Sequence, residues 1–140
     1  MERVAILYIC TGHYRKLFQQ FYDSAEKNFM PGISHHYYVW TDDGYDIGDY
    51  DESKVSIIPK EFKEWPSATL MRYHDFLTLR EVLEEHEAVF FFNADMNVFA
   101  TVGEELLPDA EHPLVGVQHI QYDKNQLLLT QLRENTEQNV

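Results

Sequence analysis

Val4-Ala5-Ile6-Leu7-Tyr8-Ile9-Cys10, closed by Thr11-Gly12, decides the architecture. Seven consecutive apolar residues without alternation describe a strand covered on both faces, as central strands of parallel sheets are. A second such run, Ala88-Val89-Phe90-Phe91-Phe92, passes directly into the polar Asn93-Ala94-Asp95. Between them, His36-Tyr37-Tyr38-Val39-Trp40 is rich in β-formers and ends at the turn-like Thr41-Asp42-Asp43-Gly44. Val55-Ser56-Ile57-Ile58 reads as a shorter strand stopped by Pro59, and Leu114-Val115-Gly116-Val117 is a further strand candidate.

Helical spacing fills the gaps. Tyr14, Leu17, Phe18, Phe21, Tyr22, Ala25 and Phe29 recur at intervals of three and four, predicting an amphipathic helix over 14–29 that stops at Pro31-Gly32. After Trp65-Pro66, Ser67 is a candidate cap for a second helix carrying Leu70, Tyr73, Phe76, Leu77, Leu79 and Leu83, extending to about residue 85. Alternating strands and helices predict an α/β fold, a mainly parallel sheet with helices on both faces. In such sheets ligands bind at the C-terminal strand ends.

The 140 residues, 44% hydrophobic and 25% charged, suit one globular core without repeats or an internal linker. Residues 1–122 form the expected core domain, and the polar stretch 123–140 is expected to fray. Cys10 is the only cysteine, which excludes an intrachain disulfide and paired-cysteine zinc sites. No apolar run approaches the ~20 residues of a membrane-spanning helix. The start of the chain lacks the layout of a secretory signal, so a cytoplasmic location is expected, with a peripheral membrane position as the alternative. Eleven basic residues against 24 acidic ones give a formal charge of −13, which argues against nucleic acid as a partner. An anionic small molecule then needs its charge met locally.

Three polar segments should meet at one sheet edge: 11–14, 41–43 and 93–95. The Gly12 turn offers backbone N–H groups and the Tyr14 ring to a nucleotide, although an ordinary strand-to-helix turn has the same pattern. Asp95 follows a buried strand, where an unpaired carboxylate is costly, so it is a binding candidate or a cap or ion-pair partner. Arg72 is either a phosphate ligand or a solvated cation. His35-His36 alternate faces on a strand and do not easily chelate one ion together, and Glu84-Glu85-His86-Glu87 at a helix end reads as a solvated face.

Ile9-Cys10-Thr11-Gly12-His13-Tyr14, Ser24-Ala25-Glu26-Lys27-Asn28-Phe29-Met30-Pro31-Gly32 and His36-Tyr37-Tyr38-Val39-Trp40-Thr41-Asp42 resemble consecutive blocks of family 6 glycosyltransferases, which include the ABO blood-group and α-1,3-galactosyltransferase enzymes. Trp65-Pro66 with Met71-Arg72, Asn93-Ala94-Asp95-Met96, Val102-Gly103-Glu104-Glu105-Leu106-Leu107 and His119 extend the likeness over 4–119. The resemblance implies the GT-A, Rossmann-like fold. It also implies retaining transfer of galactose or N-acetylgalactosamine from a UDP-sugar to a β-galactoside oligosaccharide acceptor. Carried over by position, Ile9, Thr11, Tyr14, Arg72, Asn93 and Asp95 are donor-binding residues, and His119 faces the acceptor.

Two departures qualify the carry-over. Animal members use Asp-x-Asp to hold manganese, whereas bacterial members carry Asn-x-Asn and need no metal. Asn93-Ala94-Asp95 is intermediate, so the expected cofactor is none, or Mn2+ or Mg2+ weakly held by Asp95. After His119 the family continues differently from Ile120-Gln121-Tyr122-Asp123, and its catalytic glutamate has no counterpart here. No residue is therefore assigned as catalytic. The expectation is a UDP-sugar hexosyltransferase whose donor-binding part is this chain, inactive by itself; the alternative is an inactive UDP-sugar-binding or interaction module. A receiver-like signalling domain would need an acidic pair where Thr11-Gly12 stands.

Overall fold

The computed structural model describes residues 2–42, 46–64 and 66–114. The chain divides into two compact units, Met1–Leu107 and Pro108–Val140. Of the second, the described residues form a local turn in which the Asp109 carboxylate accepts the N–H groups of Glu111 and His112.

The first unit is a Rossmann-like α/β sheet of four parallel strands: β1 (Val4–Ile9), β2 (His35–Thr41), β3 (Val55–Pro59) and β4 (Ala88–Phe92). Their order is β3-β2-β1-β4, so β1 is bonded on both edges. Tyr8 sits opposite Val39 on one side and Phe92 on the other. Side chains alternate along a strand, and here both faces find a core. Val4, Ile6 and Tyr8 point into a cluster with Phe18, Phe21, Tyr22 and Ala25 of α1 (Phe18–Asn28). Ala5 and Leu7 join Tyr38 and Trp40 beneath Phe76, Leu79 and Leu83. Continuous hydrophobicity in β1 is the consequence of this double burial.

The N-terminal helix starts differently from the 3.6-residue pattern. Gly12–Leu17 is a 3-10 segment, and only Phe18–Asn28 is α-helical. The tighter winding turns Tyr14 and Leu17 off the buried stripe, leaving Tyr14 exposed. The helix ends just before Met30, whose φ of +46° breaks the repeat ahead of Pro31-Gly32.

The second predicted helix is corrected more strongly. It forms three short pieces, α2 (Ser67–Leu70), α3 (Arg72–Leu77) and α4 (Arg80–Leu83), broken where Met71 and Leu79 leave helical geometry. Local side chains compete for the backbone carbonyls: Arg72 Nε donates to Thr69 O at 3.1 Å, and Thr78 Oγ1 to Asp75 O at 2.6 Å. Pro66, not Ser67, precedes the first turn, and no side-chain cap forms there. Leu70, Tyr73 and Leu77 are exposed, whereas Phe76, Leu79 and Leu83 pack on the sheet. Leu114 lies outside any strand; Val115, Gly116, Val117 and the tail 123–140 lie outside the described residues. Among the described residues no helix is long and apolar enough to cross a membrane.

A polar cluster ties α1 to the sheet. Glu26 accepts from Tyr37 Oη at 2.8 Å and from Lys54 Nζ at 2.5 Å, with His35 Nδ1 at 3.7 Å. Burial by itself raises the Glu26 carboxyl, but the hydrogen bonds from Lys54 and Tyr37 and the Lys54 charge outweigh it and hold it below its ordinary value. Burial lowers His35, against the pull of Glu26, and favours the neutral ring. Both shifts destabilise the fold in acid: stability is complete above the unfolded-state values and declines as pH falls through the folded ones. Equilibrium denaturation should therefore show stability falling from about pH 6.5 as His35 is protonated, and more steeply below about 4.5 through Glu26. Glu26→Gln should cost about 1 kcal/mol at neutral pH and flatten the lower part of that acid limb.

Candidate functional site

Because β1 and β4 run parallel side by side, the residues after each emerge together. Cys10 N–H continues the ladder to Trp40 O at 2.9 Å, and the fully buried Thr41 donates its hydroxyl to Cys10 O at 2.8 Å. Burial pushes the Cys10 thiol up to about 12, so it packs as an inert apolar group.

The chain then turns at Gly12, with φ +61°. Gly12 N–H donates to Asp42 Oδ1 at 3.0 Å, and Arg15 Nε donates to Gly12 O at 3.0 Å while lying 3.4 Å from the same carboxylate oxygen. Asp42, at the end of β2, thus fixes the turn at the end of β1. On the other side, Tyr8 Oη donates to Ala94 O at 2.6 Å, anchoring the centre of Asn93-Ala94-Asp95. The Tyr8 ring stacks on Phe21 at 4.6 Å, and burial raises its phenol well above the ordinary value. The donor is therefore a neutral hydroxyl.

Arg72 reaches over from α3. Its guanidinium lies 4.7 Å above the Phe91 ring, and Nη1 donates to Asn93 Oδ1 at 3.3 Å. Among the described residues its contacts are an amide, a carbonyl and an aromatic face, none of which carries a negative charge.

Ile9, Thr11, Tyr14, Arg72, Asn93 and Asp95, all expected from sequence to contact a donor, line one cleft of about 500 Å³. Asp95 is exposed there, which corrects the expectation of a carboxylate made costly by burial: the chain leaves the sheet at Asn93, and both side chains face solvent. His119 and Asp43 lie outside the described residues. Among the described residues no three His, Cys, Asp or Glu side chains are grouped to hold a metal ion. Phe62, Lys63 and Glu64 also line the cleft and were not singled out by pattern. The available signal was one aromatic in the otherwise charged stretch 60–64.

The family model described as glycosyltransferase family 6 matches residues 3–135. The chain is also similar to the O-antigen biosynthesis glycosyltransferase WbnI of Escherichia coli, with 35% identity over 125 residues. That match covers 89% of this chain and 51% of the relative, so the chain spans about half the length of the curated relative it matches.

The role of Asp42 in holding the Gly12 turn is open to measurement. Asp42→Ala removes an acceptor for a backbone N–H and the partner of Arg15, and should cost about 1–3 kcal/mol in denaturant unfolding. Asp42→Asn keeps an acceptor oxygen and should lose less than half of that.

Proposed function

The chain belongs to glycosyltransferase family 6, and from that premise we propose that its cleft binds a UDP-sugar. The chain then contributes the donor part of a retaining transfer of galactose or N-acetylgalactosamine to a β-galactoside. The observation that carries this reading is the convergence of Ile9, Thr11, Tyr14, Arg72, Asn93 and Asp95 on one cleft at the C-terminal ends of β1 and β4. In a chain of formal charge −13, a diphosphate must meet its counter-charge locally.

Each residue has a task within the proposal. Tyr14, exposed on the 3-10 segment that begins at Gly12, is proposed to contact the base, and Ile9 and Thr11 to close the floor. Arg72, presented by Phe91 and Asn93, holds the diphosphate through its uncancelled charge. Asn93 leaves that charge available; an aspartate in its place would pair with the guanidinium. Asp95 is the one carboxylate at this triplet. His119 is proposed to face the acceptor.

The same residues bear on a metal. Asn93 Oδ1, the amide oxygen a divalent ion would use, accepts from Arg72, and the cation there competes with a second positive charge. With Asp95 as its carboxylate ligand the site fits Mn2+ or Mg2+ weakly, and the proposed reaction proceeds without it or with little dependence on it. When bound, the ion would neutralise part of the diphosphate charge.

Titration calorimetry should give UDP a Kd between about 1 μM and 1 mM, with less than about threefold enhancement by Mn2+. Asn93→Asp should bind more weakly without metal and show a clearly larger Mn2+ enhancement. A folded chain with no heat at several millimolar UDP contradicts the donor reading. Equal, strong Mn2+ enhancement in both proteins contradicts the role of Asn93.

A further inference from the structure

Phe62 sits where an inert connector would not place it. The strap after β3 is fixed at both ends. Lys60 N donates to Thr41 O at 2.9 Å, and the largely buried Lys60 ammonium pairs with Asp75 Oδ2 at 2.9 Å. Glu64 O accepts the N–H of Ala68 at 3.1 Å, joining the far end to α2. Phe62 lies between these anchors, flanked by Glu61, Lys63 and Glu64, and remains 45% exposed.

Its ring lies over Gly12. A β-carbon at position 12 would stand 3.0 Å from Phe62 Cε1 and 3.1 Å from Cδ1, tight enough that the ring would have to give by a few tenths of an ångström. Glycine at 12 is favoured by its φ of +61°, and the absence of a side chain lets the aromatic ring sit close against the turn. Half the ring rests on the turn, and the exposed remainder lines the cleft. Tyr14, two residues beyond Gly12, presents a second half-exposed ring to the same space.

The cleft thus divides by chemistry. Tyr14 and Phe62 line the cleft on the Gly12 side, with Lys63 and Glu64 following Phe62 on the strap, and Arg72 with Asn93 and Asp95 gathers at the end of β4. A nucleoside diphosphate has the matching division, a flat base and a polyanion. We propose that Phe62 is a further donor-contacting residue, its ring forming a wall of the base subsite. The proposal rests on the reading of the cleft as a UDP-sugar site. Base–aromatic contacts account for a several-fold to hundredfold change in affinity when the ring is truncated.

The test compares the intact 140-residue chain with Phe62→Ala and Phe62→Tyr. UDP is titrated by calorimetry, and saturation transfer from protein to the uracil and ribose protons is measured by NMR. Phe62→Ala should weaken UDP at least about fivefold and lower transfer to the uracil protons relative to the ribose protons. Phe62→Tyr should keep both within about twofold of the wild type. Where Phe62→Ala does not fold, Phe62→Leu replaces it and should show the same selective loss in smaller degree. A folded variant with unchanged UDP affinity, or with uracil and ribose transfer reduced in equal proportion, overturns the proposal and leaves the donor reading standing. A wild-type chain that does not bind UDP overturns both.

Discussion

The structure depends on β1 having neither a solvent face nor a free edge. Val4–Ile9 pair with β2 on one side, Val4 to Tyr8 pair with β4 on the other, and their side chains enter two separate cores. Burial of this kind, at about 25 cal/mol per Å² of apolar surface, outweighs any local preference of the strand. It also sets where chemistry can occur. A strand so enclosed cannot carry an uncompensated polar group along its length, so polar function begins where the strand stops, at Thr11 and Gly12. The parallel neighbour β4 ends alongside it, which brings Asn93 to Asp95 to the same end of the sheet.

Two polar contacts carry that placement from the core to the cleft. The Gly12 N–H bond to Asp42 ties the ends of β1 and β2, and the Tyr8 hydroxyl bond to Ala94 ties the end of β4 to the middle of β1. Both are made by residues whose other contacts are structural. The cleft wall is therefore held from behind, and Tyr14, Arg72, Asn93 and Asp95 line its open side. Phe62 then couples the strap after β3 to this arrangement through its contact with Gly12.

The strands were legible because their signal is a short continuous apolar run closed by polar turn residues. Val4 to Ile9 and Ala88 to Phe92 were readable almost to the residue. That Ile9, Thr11, Tyr14, Asn93 and Asp95 would line one cleft was legible through motif order at strand ends, and the place of Arg72 beside them through its resemblance to a family block. The helical segments were not, because a spacing of three or four records a face and not its continuity. Thr69, Thr78 and Arg72 compete for backbone carbonyls within 67–83, and no hydrophobic pattern reports that. Asp95 was misjudged for a related reason: a buried strand does not imply that the residue three positions beyond it is buried. Phe62 escaped because its partner is a glycine 50 positions away, a long-range contact invisible to local spacing.

The central claim is that the cleft at the ends of β1 and β4 is the donor site, and backbone amide mapping by NMR during a UDP titration tests it most directly. Saturable shift changes should concentrate at Thr11, Gly12, Tyr14, Phe62, Arg72, Asn93 and Asp95, leaving the exposed segment around Leu77 to Val82 unmoved. Changes centred on that segment, or none at Gly12, Asn93 and Asp95 while the rest of the chain responds, would contradict the account.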